Sequence, residues 1–129
     1  MDSRVCAGLM GEASMTVGST DTAEYLGSGD VRVLATPRLI ALMEAATCAA
    51  LLGALPLEET SVGTHVNVEH LAPSNPGVFV TASAEVIEVS GTRVRFRVTA
   101  THTLASGESN PVGRGTITRV VVDRSRFPR

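Results

Sequence analysis

The sequence predicts an α+β fold, with one long central helix wrapped by a curved antiparallel sheet. Three observations carry that expectation. The run VLATPRLIALMEAATCAALLGAL, Val33 to Leu55, is the most apolar stretch of the chain. Almost everything after Leu57 alternates with a period of two, as half-buried strands do. Short Gly-, Pro- and Asn-containing clusters separate those strands, which suits hairpin connections between antiparallel neighbours. At 129 residues the chain is long enough for one proper core and no more.

Taken in order, residues 1–14 read as a loose N-terminal tail and residues 15–129 as a single domain. Met15 to Val17 opens a first short strand, and DTAEYLGSGDVRV follows as a polar, Gly-rich lead-in. Thr36-Pro37 marks the helix start, because Thr is a favoured N-cap and Pro is preorganised for the first turn. Ala, Leu and Met then dominate to Leu52, and Gly53 and Pro56 end the helix. Its apolar residues fall on nearly every face, so it is expected to be enclosed. Cys48 reads as a small core residue within it.

In SVGTHVNVEHLAP the alternation places Val62, Thr64, Val66, Val68 and His70 on one face, and Gly63, His65, Asn67 and Glu69 on the other. VFVTASAEVIEV pairs with TRVRFRVTATHT through Ser90-Gly91-Thr92. A three-residue loop there sets Val86 against Phe96, Ala84 against Val98 and Glu85 against Arg97, keeping apolar with apolar. Arg93, Arg95 and Arg97 then form an outer-face ladder, either solvated beside acidic neighbours or a stripe for phosphate. GRGTITRVVVD is the last strand. A lone helix that is apolar all round needs a sheet curled about it and a cover for its remaining side, for which a second copy of the chain is simplest. This is the hot-dog architecture, a dimer by expectation, with tetramers of two dimers left open.

Composition excludes several functions. A formal net charge of −2 and 3% aromatic residues argue against nucleic acid. Two cysteines, Cys6 and Cys48, make no disulfide framework, and no zinc spacing is present. The start, MDSRVCAGLMGEAS, has no sustained apolar segment of the secretory type. Glu44 and Gly53 interrupt the helical run, which reads as a core helix and not a membrane span. The expectation is a cytoplasmic protein with no metal, membrane or nucleic-acid partner.

Glu44 is the anomaly. A carboxylate in the middle of an apolar helix costs stability unless it is paired or used. Either it faces the helix's least covered strip and meets an arginine, or it lines a cleft. His70 adds a second titratable group on the expected core face, a combination that suits acid–base work. Thr36 lies eight residues before Glu44, within roughly 40° of the same helix face. The helix N-terminus brings free N–H groups and a positive dipole end. His65 is expected to be exposed, and His102 falls on an inner face near a strand end without an obvious partner. Arg119 reads as a sheet-face ion pair or a contact for a phosphate group.

GSGDVRVLATPRLIALMEAA, SVGTHVNVEHLAPSNPG, VSGTRVRFRVTA and GRGTITRVVVD together resemble the fluoroacetyl-CoA thioesterase-like group of hot-dog proteins, from about Met15 to Phe127. The resemblance implies a catalytic set of Thr36, Glu44 and His70, with Gly63 beside the bound thioester as a backbone donor. It implies hydrolysis of a short or medium acyl-CoA to free acid and CoA, without a cofactor beyond the CoA ester itself. Glu44 would attack the carbonyl or position a water, and His70 would protonate the leaving thiolate. Fluoroacetyl selectivity in that family involves a bulky aromatic lid, and the lead-in here offers only Tyr25. The alternatives are a non-catalytic acyl-CoA or acyl-carrier binding module on the same fold, and a hydratase or dehydratase.

Overall fold

The computed structural model describes residue 1 and residues 4–128. Strand β1 (Met10–Thr16) leads through a 3-10 turn and the short helix α1 (Ala23–Leu26) to the long helix α2 (Thr36–Leu51). Four strands follow: β2 (Glu59–His70), β3 (Phe79–Ser90), β4 (Arg93–Thr103) and β5 (Ser109–Asp123). They form one sheet in the order β1-β3-β4-β5-β2, every neighbour antiparallel. The sheet curls around α2, as the hot-dog expectation required. No helix among the described residues is long and apolar enough to cross a membrane.

The core lies between α2 and the sheet. Leu39, Met43 and Ala46 of the helix meet Val80, Val86, Val94, Phe96, Val98 and Ile117, all fully buried. On β3 and β4 burial alternates almost perfectly along each strand, which is how the period of two looks when one face is packed. The expected pairs Val86–Phe96, Ala84–Val98 and Glu85–Arg97 are all present. They arise differently from the expected three-residue loop. Ser90 pairs directly with Arg93, leaving a two-residue loop in which Gly91 has φ +61°, and the register slips by one at Ile87. Burial of Val86 and Phe96 fixed the pairing, and a bulge absorbed the odd residue.

The N-terminal expectation is corrected. Met10 to Ser14 belong to β1, paired with β3, and Val5 is buried, so the tail over 1–14 is shorter than it reads. The signal was masked because β1 carries Gly11 and Ala13 on its inner face where large apolar residues were sought. The reason is close packing. A Cβ at Gly11 would overlap the Ala50 backbone nitrogen and lie 2.6 Å from the Ala46 carbonyl oxygen. Because those are backbone atoms, Gly11→Val is expected to cost about 1–3 kcal/mol or more by overpacking, read as a lowered melting temperature.

Helix α2 is less enclosed than its composition implies. Ala41, Ala45, Cys48, Ala49 and Leu52 form an exposed strip, with Leu52 86% accessible. Cys48, expected in the core, is therefore at the surface. Strand β2 ends the sheet order and is mostly exposed.

Candidate functional site

Thr36 occupies the first turn of α2, but it is not the cap. Ala35 holds that position, and no side chain caps the helix. The Thr36 hydroxyl instead meets His70 Nδ1 at 2.8 Å. Pro37 in the first turn presets the helix direction, and His70 ends β2 where the chain turns back toward the helix start. A polar side chain of the type that caps helices is thus committed to an imidazole. His70 Nε2 is buried and has no hydrogen-bond partner among the described residues. Desolvation holds the imidazole below its ordinary pKa, opposed more weakly by the Ala72 backbone.

That shift has a consequence for the fold itself. The folded chain resists protonating His70, so the unfolded chain binds the proton more readily. Stability is expected to rise with pH between the lowered folded pKa and the ordinary value near 6.5, and to be level above it. Denaturant midpoints measured across that window should show the slope, and His70→Gln should flatten it.

Glu44 belongs to a second cluster. Its Oε2 lies 3.5 Å from Arg119 Nη1, with Arg119 nearly buried and the Glu44 side chain 37% accessible. Arg119 is fixed independently: Nε donates to Ser61 Oγ at 2.8 Å and Nη2 to the Ser61 carbonyl at 3.0 Å. The guanidinium is thus anchored by Ser61 and offers its remaining edge to Glu44. A long, half-exposed pair of this kind orients a carboxylate without fully neutralising it. Of the two sequence readings of Arg119, the ion pair is present.

Gly63 completes this cluster. A Cβ there would overlap the Glu44 carboxylate, so glycine is what lets the side chain lie against β2. Strict alternation set Gly63 on the face opposite His70. A bulge at Thr64 shifts the register between Gly63 and His65 and reverses the phase. Gly63 pairs with the buried Arg119, and Val66 with the buried Ile117, so both sides of the bulge present the helix-facing set. Val62, assigned inward by alternation, pairs with Val120, which lies between the buried Arg119 and Val121, so it falls on the other face.

The two clusters do not meet within one chain. Thr36 and Glu44 are eight residues apart, about 12 Å along the helix axis. Gly63 and His70 are separated by about 20 Å along β2. One end of the helix thus holds Thr36 with His70, and its middle holds Glu44 with Arg119 and Gly63.

A pocket of about 410 Å³ opens beside the first cluster. Thr36 and His70 form one wall, and Ala23, Val31, Val33 and Leu71 supply much of the rest. No Asp, Glu, Lys, Arg, Phe, Tyr or Trp lines it. Tyr25, the one aromatic side chain of the lead-in, is 64% accessible. A groove of about 470 Å³ on the sheet's outer face is lined by Arg95, Arg97, Arg114 and Glu69 among others. Of the expected ladder, Arg97 pairs with exposed Glu85, and Arg114 nearby pairs with exposed Glu69, as solvated surface charges do.

One helix held in a curled, wholly antiparallel sheet, with polar groups gathered along the helix, defines a hot-dog protein. The fluoroacetyl-CoA-specific thioesterase (FlK) profile matches residues 17–125, and the chain belongs to that family. The fluoroacetyl-CoA thioesterase of Streptantibioticus cattleyicolor is 36% identical over 95 residues, 74% of this chain. That match spans 65% of the relative, so the chain accounts for just under two thirds of its length. A variant of FlK solved with acetyl-CoA superposes with TM-score 0.84 at 29% identity, covering 95% of this chain and 92% of the other. A hot-dog-like protein from Thermanaerovibrio acidaminovorans gives 0.80 at 27% identity over 100% and 99% of the two chains.

Proposed function

We propose that this protein hydrolyses the thioester of a short- or medium-chain acyl-CoA to the free acid and CoA, using Thr36, Glu44, His70 and Gly63. The carrying observation is the 2.8 Å contact of Thr36 with His70 Nδ1, which leaves a buried, unpartnered Nε2 at the wall of an uncharged pocket. Its lowered pKa keeps the imidazole neutral near pH 7, as a general base must be. Family membership supports the reaction class, and the S. cattleyicolor relative carries that activity in its name.

The chemistry assigns one role to each group. Glu44 either attacks the carbonyl carbon, forming an acyl–glutamyl anhydride that water then opens, or draws a proton from a water that attacks directly. The C–S bond breaks; His70, neutral at rest, takes up the proton that the attacking water releases, directly or by way of Glu44, and passes it to the departing sulfur. The Gly63 N–H and the first turn of α2, which no side chain caps, would serve as donors to the oxyanion. Thr36 sets the orientation of the imidazole. The pocket's small apolar lining suits an acyl chain and offers nothing to the CoA phosphates, while the absence of an aromatic wall gives no basis for fluoroacetyl selectivity.

Because the two clusters are apart in one chain, the working unit is a dimer related by a two-fold axis. The exposed small-residue strip of α2 and the edge strand β2 are where the second copy packs, bringing one chain's Glu44 and Gly63 to the other's Thr36 and His70. The two thiols, neither in a disulfide, fit a reducing cytoplasm. Free-thiol release from a panel of acyl-CoAs tests the reading. Turnover on C2 to C8 chains supports it, whereas CoA esters that bind without turnover would place the protein among binding modules.

A further inference from the structure

The turn after β2 carries a second polar pair, which the reaction does not touch. Ser74, four residues beyond His70, is 1% accessible, and its hydroxyl meets His102 Nδ1 at 2.8 Å. His102, 7% accessible, stands on β4 in register with buried Val80 and with Asn110 of β5. This is the partner that the sequence did not reveal for His102. Neither residue lines the pocket beside Thr36 and His70.

Ser74 is also tied through its backbone. The Leu34 N–H donates to the Ser74 carbonyl at 2.8 Å, two residues before Thr36. Leu34 and Ala35 are both fully buried, and the Ala35 N–H donates to the Asp21 carbonyl at 2.9 Å. On the other side, the Leu71 N–H donates to the Val112 carbonyl at 2.8 Å, next to His70. Besides the Thr36–His70 bond itself, the segment leading to Thr36 and the one following His70 are therefore tied at Ser74, whose side chain is held by the central strand of the sheet.

We propose that Ser74 and His102 are positioning residues that set the Thr36–His70 geometry, and through it the imidazole's orientation and basicity. This rests on the thioesterase reading for its kinetic consequence, though not for its structural one. A buried hydroxyl and imidazole keep their hydrogen bond only over a narrow range of arrangements, so the pair fixes a distance more sharply than apolar packing does. Catalysis depends steeply on such placement, and misplacement by about 1 Å costs up to about a hundredfold.

The test compares Ser74→Ala, His102→Leu and His102→Asn with wild type. The Asn amide can meet Ser74 near where Nδ1 does, whereas Leu fills the space without the bond. For Ser74→Ala and His102→Leu, kcat is expected to fall about ten- to a hundredfold with KM unchanged, and His102→Asn should recover most of it. Should Ser74→Ala not fold, the two His102 variants carry the comparison. His70 is titrated by NMR in parallel, a readout that needs no turnover. Its pKa should move toward 6.5 in His102→Leu and return in His102→Asn. An unmoved His70 titration, or His102→Asn as impaired as His102→Leu, would overturn the proposal. If the wild type shows no thioesterase activity but the titration shifts as expected, the clamp stands and the catalytic reading alone falls.

Discussion

Glu44→Gln is expected to turn over acyl-CoA at roughly a hundredth to a ten-thousandth of the wild-type rate, with substrate binding retained, and His70→Ala at a similarly low rate. The amide is nearly isosteric and still accepts from Arg119, so the fold around it changes little. What it lacks is the negative charge needed either to attack a carbonyl or to take a proton from water. Steady-state kinetics with thiol detection measures the loss, and full activity in Glu44→Gln would remove the carboxylate from the mechanism. Single turnover in heavy-oxygen water separates its two roles. Label appearing in the Glu44 carboxylate marks it as the nucleophile; label in the released acid alone fits either the base role or an anhydride opened at its acyl carbon, and capture of an acyl adduct on Glu44 by hydroxylamine then separates these two. His70→Ala should also remove the acid limb of the pH–rate profile, which in wild type lies below 6.5 because the imidazole is desolvated.

Much of the frame was legible because burial leaves a strong imprint. The alternation on β3 and β4 and the Val86–Phe96 register follow from which residues must face the helix. Glu44 and His70 stood out because each is polar where the pattern is apolar, Thr36 because it marks the helix start on the same face as Glu44, and the family resemblance joined the three as a set. What escaped was whatever depends on a single irregular residue. The bulge at Thr64 moved Gly63 to the inner face, and the bulge at Ile87 replaced a longer loop, yet a bulge has no composition of its own. Strand β1 was partly missed because its inward positions are small where α2 approaches most closely. The Ser74–His102 pair was invisible because its members lie 28 residues apart and neither is unusual alone. Cys48 was misplaced for a different reason. Helical composition shows how much apolar surface exists, not whether one chain covers it.

That uncovered strip leads to the second large effect. Mixed and refolded together, inactive Glu44→Gln and inactive His70→Ala chains are expected to regain roughly a quarter of wild-type activity. In a site built from one chain's Glu44 and the other's His70, the mixed dimer has one site with both groups intact and one with neither. Random pairing makes about half the dimers mixed, and each supplies one working site of two. Were the full set housed within a single chain, every mixed dimer would carry one defect per site and no activity would return. The geometry favours the first outcome. About 12 Å of helix separates Thr36 from Glu44, too far for both their clusters to contact one carbonyl carbon. A leucine-to-glutamate change at the exposed Leu52 should weaken the pairing and lower activity in proportion to the dimer lost, which sedimentation and kinetics on one sample would show. On the proposed two-chain site, the carboxylate sits in an apolar helix because its working partner lies across an interface, and recovery of activity in the mixed chains is the result that would follow.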